Sequence, residues 1–251
     1  MAASVEATSL KDHVVLITGG ARRVGAVIAR TLHAAGADIF LHYRSSEAAA
    51  AALIEEFNRA RTGSAASASA DLLDAQAPER LVAAALGQFG RLDILINNAS
   101  NFYPTPVGTI TAAAWDDLIG INLRAPAFLA QAAADSLARQ RGLILNVIDI
   151  HGLRPLKGHP VYSAAKAGLA MLTRSLAREL GPEVRVNGIA PGPVLWPEKD
   201  MDEVLRREII DQTALKRYGS PQDVASTALF LAKDAPYITG QIIAVDGGRS
   251  I

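Results

Sequence analysis

Short, nearly continuous apolar runs alternate along this chain with longer Ala- and Leu-rich segments whose apolar positions recur at helical spacing. His13–Thr18 (HVVLIT) is the first run and stops at Gly19-Gly20, and Val24–Ala35 then follows a period near 3.6 and stops at Gly36. The same alternation predicts strands over Asp38–Tyr43, Ser64–Asp71, Leu92–Asn97, Leu143–Asp149, Val184–Ile189 and Ile242–Val245. It predicts helices over Glu47–Ala60, Pro78–Phe89, Trp115–Arg139, Val161–Leu180 and Pro221–Ala232. Apolar runs separated by helices call for parallel strands joined by right-handed crossovers, with helices on both faces of the sheet. The expected fold class is therefore α/β: a single-domain, doubly wound, Rossmann-like parallel sheet of about seven strands. Ser64–Asp71 (SAASASAD) has the composition of a linker, but its place in the alternation makes it a thin-faced third strand.

The opening MAASVEATSL follows neither rhythm and lacks the basic and apolar regions of a signal peptide, so residues 1–10 read as a flexible tail before one domain over 11–251. Half of the 251 residues are apolar, enough for a large core, and the absence of cysteine excludes disulfides and thiolate metal sites. Five histidines without an HxxxH pair give no zinc motif, so no metal is expected. Lys plus Arg and Asp plus Glu balance at 25 each, so no global field draws the protein to nucleic acid or to an anionic membrane. No apolar run reaches bilayer length. The expectation is a soluble, cytoplasmic protein that holds any charged ligand with a local cluster.

Thr18-Gly19-Gly20-Ala21-Arg22-Arg23-Val24-Gly25 supplies such a cluster at the first strand-to-helix turn. Glycines let the backbone approach a pyrophosphate, and the helix N-terminus offers unpaired N–H groups and the positive end of its dipole. Gly19, Arg22, Arg23 and Val24 are the candidate contacts, and a plain connector is the bland alternative. The second strand ends in Tyr43-Arg44-Ser45-Ser46, where an NAD enzyme usually places an acid for the ribose 2′-hydroxyl. An arginine and two hydroxyls suit a 2′-phosphate instead, which points to NADPH, while Ser46 can also cap the next helix.

These motifs resemble the short-chain dehydrogenase/reductase family over essentially the whole chain. TGGARRVG at 18–25 is joined by Asp71-Leu72, Asn97-Asn98-Ala99, Asn122, Tyr162-Ser163-Ala164-Ala165-Lys166, Asn187 and Pro191-Gly192, in the family's order and spacing. The resemblance implies that Asp71 and Leu72 border the adenine and that Asn98 and Ala99 line the cofactor ribose. It makes Tyr162 the acid beside the nicotinamide, gives Lys166 the ribose hydroxyls, and puts Asn122 in a proton relay. Tyr162 and Lys166 stand four apart on a predicted helix and share a face, and a nearby ammonium is expected to lower the phenol's pKa from about 10.

Three positions depart from the common pattern. Arg23 replaces the middle glycine of the turn, Asp149 stands where most members carry a carbonyl-orienting serine, and Leu195 stands where a threonine often holds the nicotinamide amide. The last departure leaves that amide to backbone groups around Pro191, Gly192 and Val194. The first two, with Asn98–Pro106 (NASNFYPTP), resemble the pteridine reductase branch. There the arginine matching Arg23 reaches cofactor phosphate and pterin, the aromatic matching Phe102 stacks the pterin on the nicotinamide, and the serine matching Ser100 touches both. A pterin presents ring nitrogens and an amino group, which call for an acidic or acceptor side chain such as Asp149, and a flat ring gains from stacking. Trp196 is read as either a wall of the substrate loop or a hydrophobic anchor. His151 and His159 are read as satisfied loop residues.

The expected activity is NADPH-dependent reduction of a dihydropterin, extending to dihydrofolate or an oxidised pterin, in a homotetramer as the family suggests. Tyr162, Asp149 or a water between them gives the proton. Two other readings stay open: a short-chain reductase of a carbonyl substrate (a 3-oxoacyl thioester, sugar or steroid), and a non-catalytic NADPH-binding regulator.

Overall fold

The computed structural model describes residues 9–195 and 202–251. Its centre is a seven-stranded, all-parallel sheet, in chain order β1 (Val14–Ile17), β2 (Asp38–Tyr43), β3 (Ala65–Ser69), β4 (Ile94–Asn97), β5 (Leu143–Val147), β6 (Arg185–Pro191) and β7 (Ile242–Val245). The spatial order is β3-β2-β1-β4-β5-β6-β7, so the winding reverses beside β1. Alternate residues of the strands serve opposite faces. Val15, Ile17, Ile39, Leu41, Ile94, Ile96, Leu143 and Leu145 pack against α1 (Arg23–Ala34), α2 (Glu47–Ala60) and α8 (Pro221–Lys233). Val14, Leu16, Phe40, Leu95 and Ile144 pack against α3 (Ala77–Phe89), α5 (Ala125–Arg139) and the far end of α6 (Pro160–Glu179). Both faces being covered explains why the strands read as unbroken apolar runs. The thin third strand forms one edge of the sheet, pairing β2 through small side chains.

The structure departs from the sequence reading in four places. The ordered core begins inside the expected tail: Leu10 is buried and its N–H donates to the Ala35 carbonyl. The helix expected over Trp115–Arg139 is two helices, α4 (Ala112–Ile119) and α5, joined by a π-helical turn at Gly120–Arg124. Periodicity could not separate them because the backbone stays right-handed helical at both joints, Ile119-Gly120 and Arg124-Ala125. The turn is legible in the hydrogen bond from the Ala125 N–H back to the Gly120 carbonyl, five residues earlier. A further helix, α7 (Glu203–Asp211), went unread. It buries no residue fully, because its apolar positions Leu205 and Ile209 line a cavity instead of the core. A short 3₁₀ turn, Ile150–Gly152, follows β5, which ends at Val147 and leaves Asp149 beyond the strand.

Candidate active site

The carboxyl ends of the strands open into one cavity of about 1190 Å³. In an open α/β sheet this edge, at the reversal of winding, is where ligands sit. The glycine turn is clamped there by its neighbours. Thr18 Oγ1 accepts from the N–H groups of Asn98 (3.0 Å) and Ala99 (3.1 Å), and Asn98 Nδ2 donates to the carbonyls of Thr18 (2.9 Å) and Gly19 (3.0 Å). Gly25 has no alternative: a Cβ there would stand 2.6 Å from both Asn98 Nδ2 and the Gly19 oxygen. Gly19 sits at φ +60°, a left-handed backbone that glycine holds without strain. Arg23 also sits at positive φ, +55°, which costs a non-glycine residue roughly 1–3 kcal/mol. A glycine here would avoid that cost.

One member of this clamp escaped the sequence reading. His42, on β2 and buried, accepts the Gly19 N–H at Nδ1 (3.2 Å) and donates from Nε2 to the Ala70 carbonyl (3.0 Å). Burial lowers its pKa and keeps it neutral, the only state able to accept at one nitrogen and donate at the other. It ties the glycine turn to the end of β3 and lines the cavity. Its signal was a histidine inside the otherwise apolar run IFLHY, two positions before Arg44.

The structure brings most of the expected residues into one wall. Gly19, Arg22, Arg23, Val24, Arg44, Ser45, Ser46, Leu72, Asn98, Ala99, Ser100, Phe102, Asp149, Tyr162, Lys166, Pro191, Gly192 and Val194 all line the cavity. Three do not. Tyr43 packs on the core, Asp71 turns its carboxylate to the Leu73 N–H (3.0 Å), and Asn122 lies fully buried behind the wall. Trp196 lies outside the described residues. Ser46 occupies the N-cap position of α2, but its side chain makes no capping hydrogen bond, so the helix start does not use its hydroxyl.

Asn122 is placed by the π-helical turn. It donates to the carbonyls of Asn101 (2.9 Å) and Leu118 (3.0 Å) and accepts from Ser100 Oγ at 2.7 Å, so it acts on the cavity through that serine. Phe102 is not a core residue. It is 55% exposed, stacks on His159 (centroids 4.7 Å, 6° between planes) and meets the Tyr162 ring edge-on at 4.8 Å. His159 is therefore the backing of Phe102, which loop composition did not show.

At the centre, Tyr162 Oη donates to Asp149 Oδ2 at 2.8 Å, while Asp149 Oδ1 accepts the His151 N–H at 2.8 Å. Asp149 is thus both a cap for the 3₁₀ turn and the partner of the phenol. The expected lowering of the Tyr162 pKa is overturned. Burial raises it, and the charge and hydrogen bond of Asp149 raise it further, with Ser100 opposing weakly. Lys166 cannot reverse this because its ammonium stands over the ring, 5.8 Å from the centroid, and donates to the Val147 carbonyl at 3.0 Å. Tyr162 is held as a neutral phenol.

Burial pushes Lys166 down to about 8, with Asp149 opposing. Between that value and its unfolded pKa near 10.4 the native state binds fewer protons than the unfolded chain, so stability rises with pH. The cofactor-free protein should therefore gain on the order of 1–3 kcal/mol between pH 8 and 10 relative to Lys166→Met. Urea unfolding of both proteins at pH 7.5 and 9.5 checks this, and parallel pH dependence would refute it.

The chain matches known proteins over nearly its full length. The sequence model described as enoyl-(acyl carrier protein) reductase matches residues 19–250. Pteridine reductase 1 of Leishmania tarentolae is 38% identical, covering 97% of this chain and 98% of that protein. A 3-oxoacyl-[acyl-carrier-protein] reductase of Synechocystis sp. is 36% identical, covering 96% of this chain and 98% of that protein. Among solved structures, a blue fluorescent protein from a metagenomic library, in complex with NADPH, superposes with a TM-score of 0.91 at 35% identity, covering 97% of this chain and all of that one. With its seven-stranded parallel sheet, its clamped glycine turn and its buried Tyr162–Lys166 pair, the chain belongs to the short-chain dehydrogenase/reductase family.

Proposed function

We propose that this chain is an NADPH-dependent pteridine reductase, acting on a dihydropterin and also on dihydrofolate or an oxidised pterin. The observation that carries the proposal is the hydrogen bond of 2.8 Å from Tyr162 Oη to Asp149 Oδ2, inside a cavity walled by exposed Phe102. A carbonyl substrate needs a donor at position 149. An anionic carboxylate only accepts, and it suits the amino and ring N–H edge of a pterin.

The residues fit NADPH. The glycine cradle leaves room only for backbone beside a pyrophosphate, Arg22 and Arg23 stand at the start of α1, and Arg44 with Ser45 and Ser46 suits a 2′-phosphate. Bound there, NADPH would supply the hydride. Asp149 would hold the donor edge of the pterin and thereby release the Tyr162 phenol from its carboxylate partner. The phenol then gives its proton to the ring nitrogen next to the carbon that is reduced. Lys166, close over the same ring, stabilises the phenolate left behind.

The test is a substrate panel. Dihydropterins should be reduced with NADPH far better than with NADH, a 2,4-diaminopteridine antifolate should compete with them, and simple ketones should be poor substrates. The second reading, a 3-oxoacyl thioester reductase, is favoured by the nearly equal identity to the Synechocystis relative. A wild type that reduces ketones well and ignores pterins and antifolates would establish it. Arg44→Ala should weaken NADPH binding about 10- to 100-fold, the scale of a charge-assisted contact, and leave NADH nearly unchanged. Equal losses in both titrations would show that Arg44 does not meet the 2′-phosphate. We further propose a cytoplasmic homotetramer, supported by the exposed Trp115, Phe128 and Phe230 on outer helix faces.

A further inference from the structure

Phe102 stands in the cavity wall on the segment that runs from the end of β4 to α4. Its ring meets His159 and Tyr162 and makes no directional hydrogen bond, so its attitude depends on the backbone that presents it. That backbone is held on both sides by one carboxylate. Asn101 Nδ2 donates to Asp117 Oδ1 (2.9 Å) and Oδ2 (3.0 Å), and the Tyr103 hydroxyl donates to Oδ2 at 2.8 Å. The two anchored residues are the chain neighbours of Phe102, so the peptide that carries the ring is pinned before and after it.

Asp117 itself lies on α4, half-buried and outside the cavity wall. Among the described residues no cation lies within ion-pair distance of it, so its charge is answered by these two side chains. Hydrogen bonds to an ionised acceptor are about twice as strong as neutral ones, which makes the pair a firm anchor. The helix does not need this carboxylate for itself. Thr111 caps its start by accepting the Ala114 N–H at 3.1 Å, and buried Leu118 fixes its inner side against Val161 and Tyr162. Three further contacts lock the same segment. Asn122 Nδ2 donates to the Asn101 carbonyl at 2.9 Å, the Tyr103 ring packs on Leu118, Val161 and Tyr162, and the Thr105 N–H donates to the Gly158 carbonyl at 2.7 Å, one residue before His159.

We propose that Asp117 is a positioning residue for the substrate platform: it holds both chain neighbours of Phe102, so the ring waits against His159 and Tyr162 in the attitude that a flat substrate meets. Resting on the pteridine reading for that substrate, the platform is ordered before the pterin arrives, and binding does not have to order it.

The first test is kinetic, with a dihydropterin and saturating NADPH. Asp117→Ala should raise KM about 3- to 10-fold, keep kcat within about threefold and leave the Kd for NADPH within about twofold. The ceiling is the effect of Phe102→Ala, because the ring's stacking is all that a loosened platform can lose. In the Phe102→Ala background the same substitution should shift KM less than about twofold, since two residues acting through one contact are not additive. Asp117→Asn keeps one acceptor oxygen and should recover part of the loss. Equal shifts in the two backgrounds, or a fall in NADPH affinity matching that for the pterin, would overturn the proposal.

The second test needs no substrate. Protein labelled with 4-fluorophenylalanine gives a fluorine resonance for Phe102, assigned by its loss in Phe102→Leu and displaced by the His159 and Tyr162 rings. Asp117→Ala should move it toward the position of the free amino acid, and Tyr103→Phe, which removes one anchor and no charge, should move it part of the way. A resonance that Asp117→Ala leaves unmoved would remove the role. Should Asp117→Ala fail to fold, Asp117→Asn and Tyr103→Phe take its place in both tests with the same signs. Should wild type reduce no pterin, the pteridine reading fails, and the fluorine spectrum alone decides whether Asp117 positions Phe102.

Discussion

Tyr162→Phe should lower kcat on a dihydropterin by about 10²–10⁴-fold while leaving the Kd for NADPH within about twofold, since general acid catalysis is worth that range. The variant keeps the ring. Tyr162 is nearly fully buried, its edge-on contact with Phe102 and its face under the Lys166 ammonium are ring contacts that phenylalanine reproduces, and only the hydroxyl is lost. What disappears is the hydroxyl whose oxygen lies 2.8 Å from Asp149 Oδ2, and with it the proton it donates. The carboxylate is left with the His151 N–H alone, and losing one hydrogen bond to a charged group should cost about 1–3 kcal/mol of stability. Stopped-flow hydride transfer with NADPH bound separates this from a cofactor effect. A variant that keeps near-normal turnover would show that the proton comes from elsewhere, with a water on Asp149 the next source.

The contrast between Tyr162 and its neighbours shows what the chain's pattern could and could not reveal. The sheet was legible because its five central strands are buried on both faces, so their signal is carried by almost every residue, and the edge strands β3 and β7 follow from the alternation. β2 and β7 have the bounds expected, and the order of strands places the cavity at their carboxyl ends. The cavity wall was legible where a motif fixes a backbone need, as at Gly19 and Gly25. What escaped depended on side-chain direction. Lys166 shares a helix face with Tyr162 as the spacing requires, but its ammonium turns to the Val147 carbonyl, so proximity in sequence did not give the direction of the pKa shift. His42 and His159 escaped because a histidine's role is set by partners distant in sequence, here Gly19, Ala70 and Phe102. Helix α7 escaped because its apolar side faces a cavity, which leaves it too short and too polar for a core-seeking pattern.

Asp149→Asn and Asp149→Ser should separate charge from shape at the position that distinguishes the two readings of this site. Asparagine keeps the size and an oxygen for the His151 N–H, but it turns an amide toward the phenol where the carboxylate accepted its proton. It can neither carry the negative charge nor accept at both oxygens, so kcat/KM for a dihydropterin should fall about 10- to 100-fold, the scale of a hydrogen bond to a charged group. With the carboxylate gone, two of the causes that raise the Tyr162 pKa vanish and only burial remains, so the alkaline limb of the pH–rate profile should move to lower pH. Serine is shorter and offers a hydroxyl donor, which suits a carbonyl oxygen. Asp149→Ser should therefore lose dihydropterin turnover at least as heavily while activity on a simple ketone holds or rises, and NADPH affinity should stay unchanged in both variants because Asp149 meets Tyr162 and His151. Steady-state kinetics on one pterin and one ketone, across pH 5 to 10, gives the answer. Parallel losses on both substrates would mean that Asp149 serves only to cap the turn at Ile150–Gly152 and to seat Tyr162, and the acceptor role for a pterin edge would then fail.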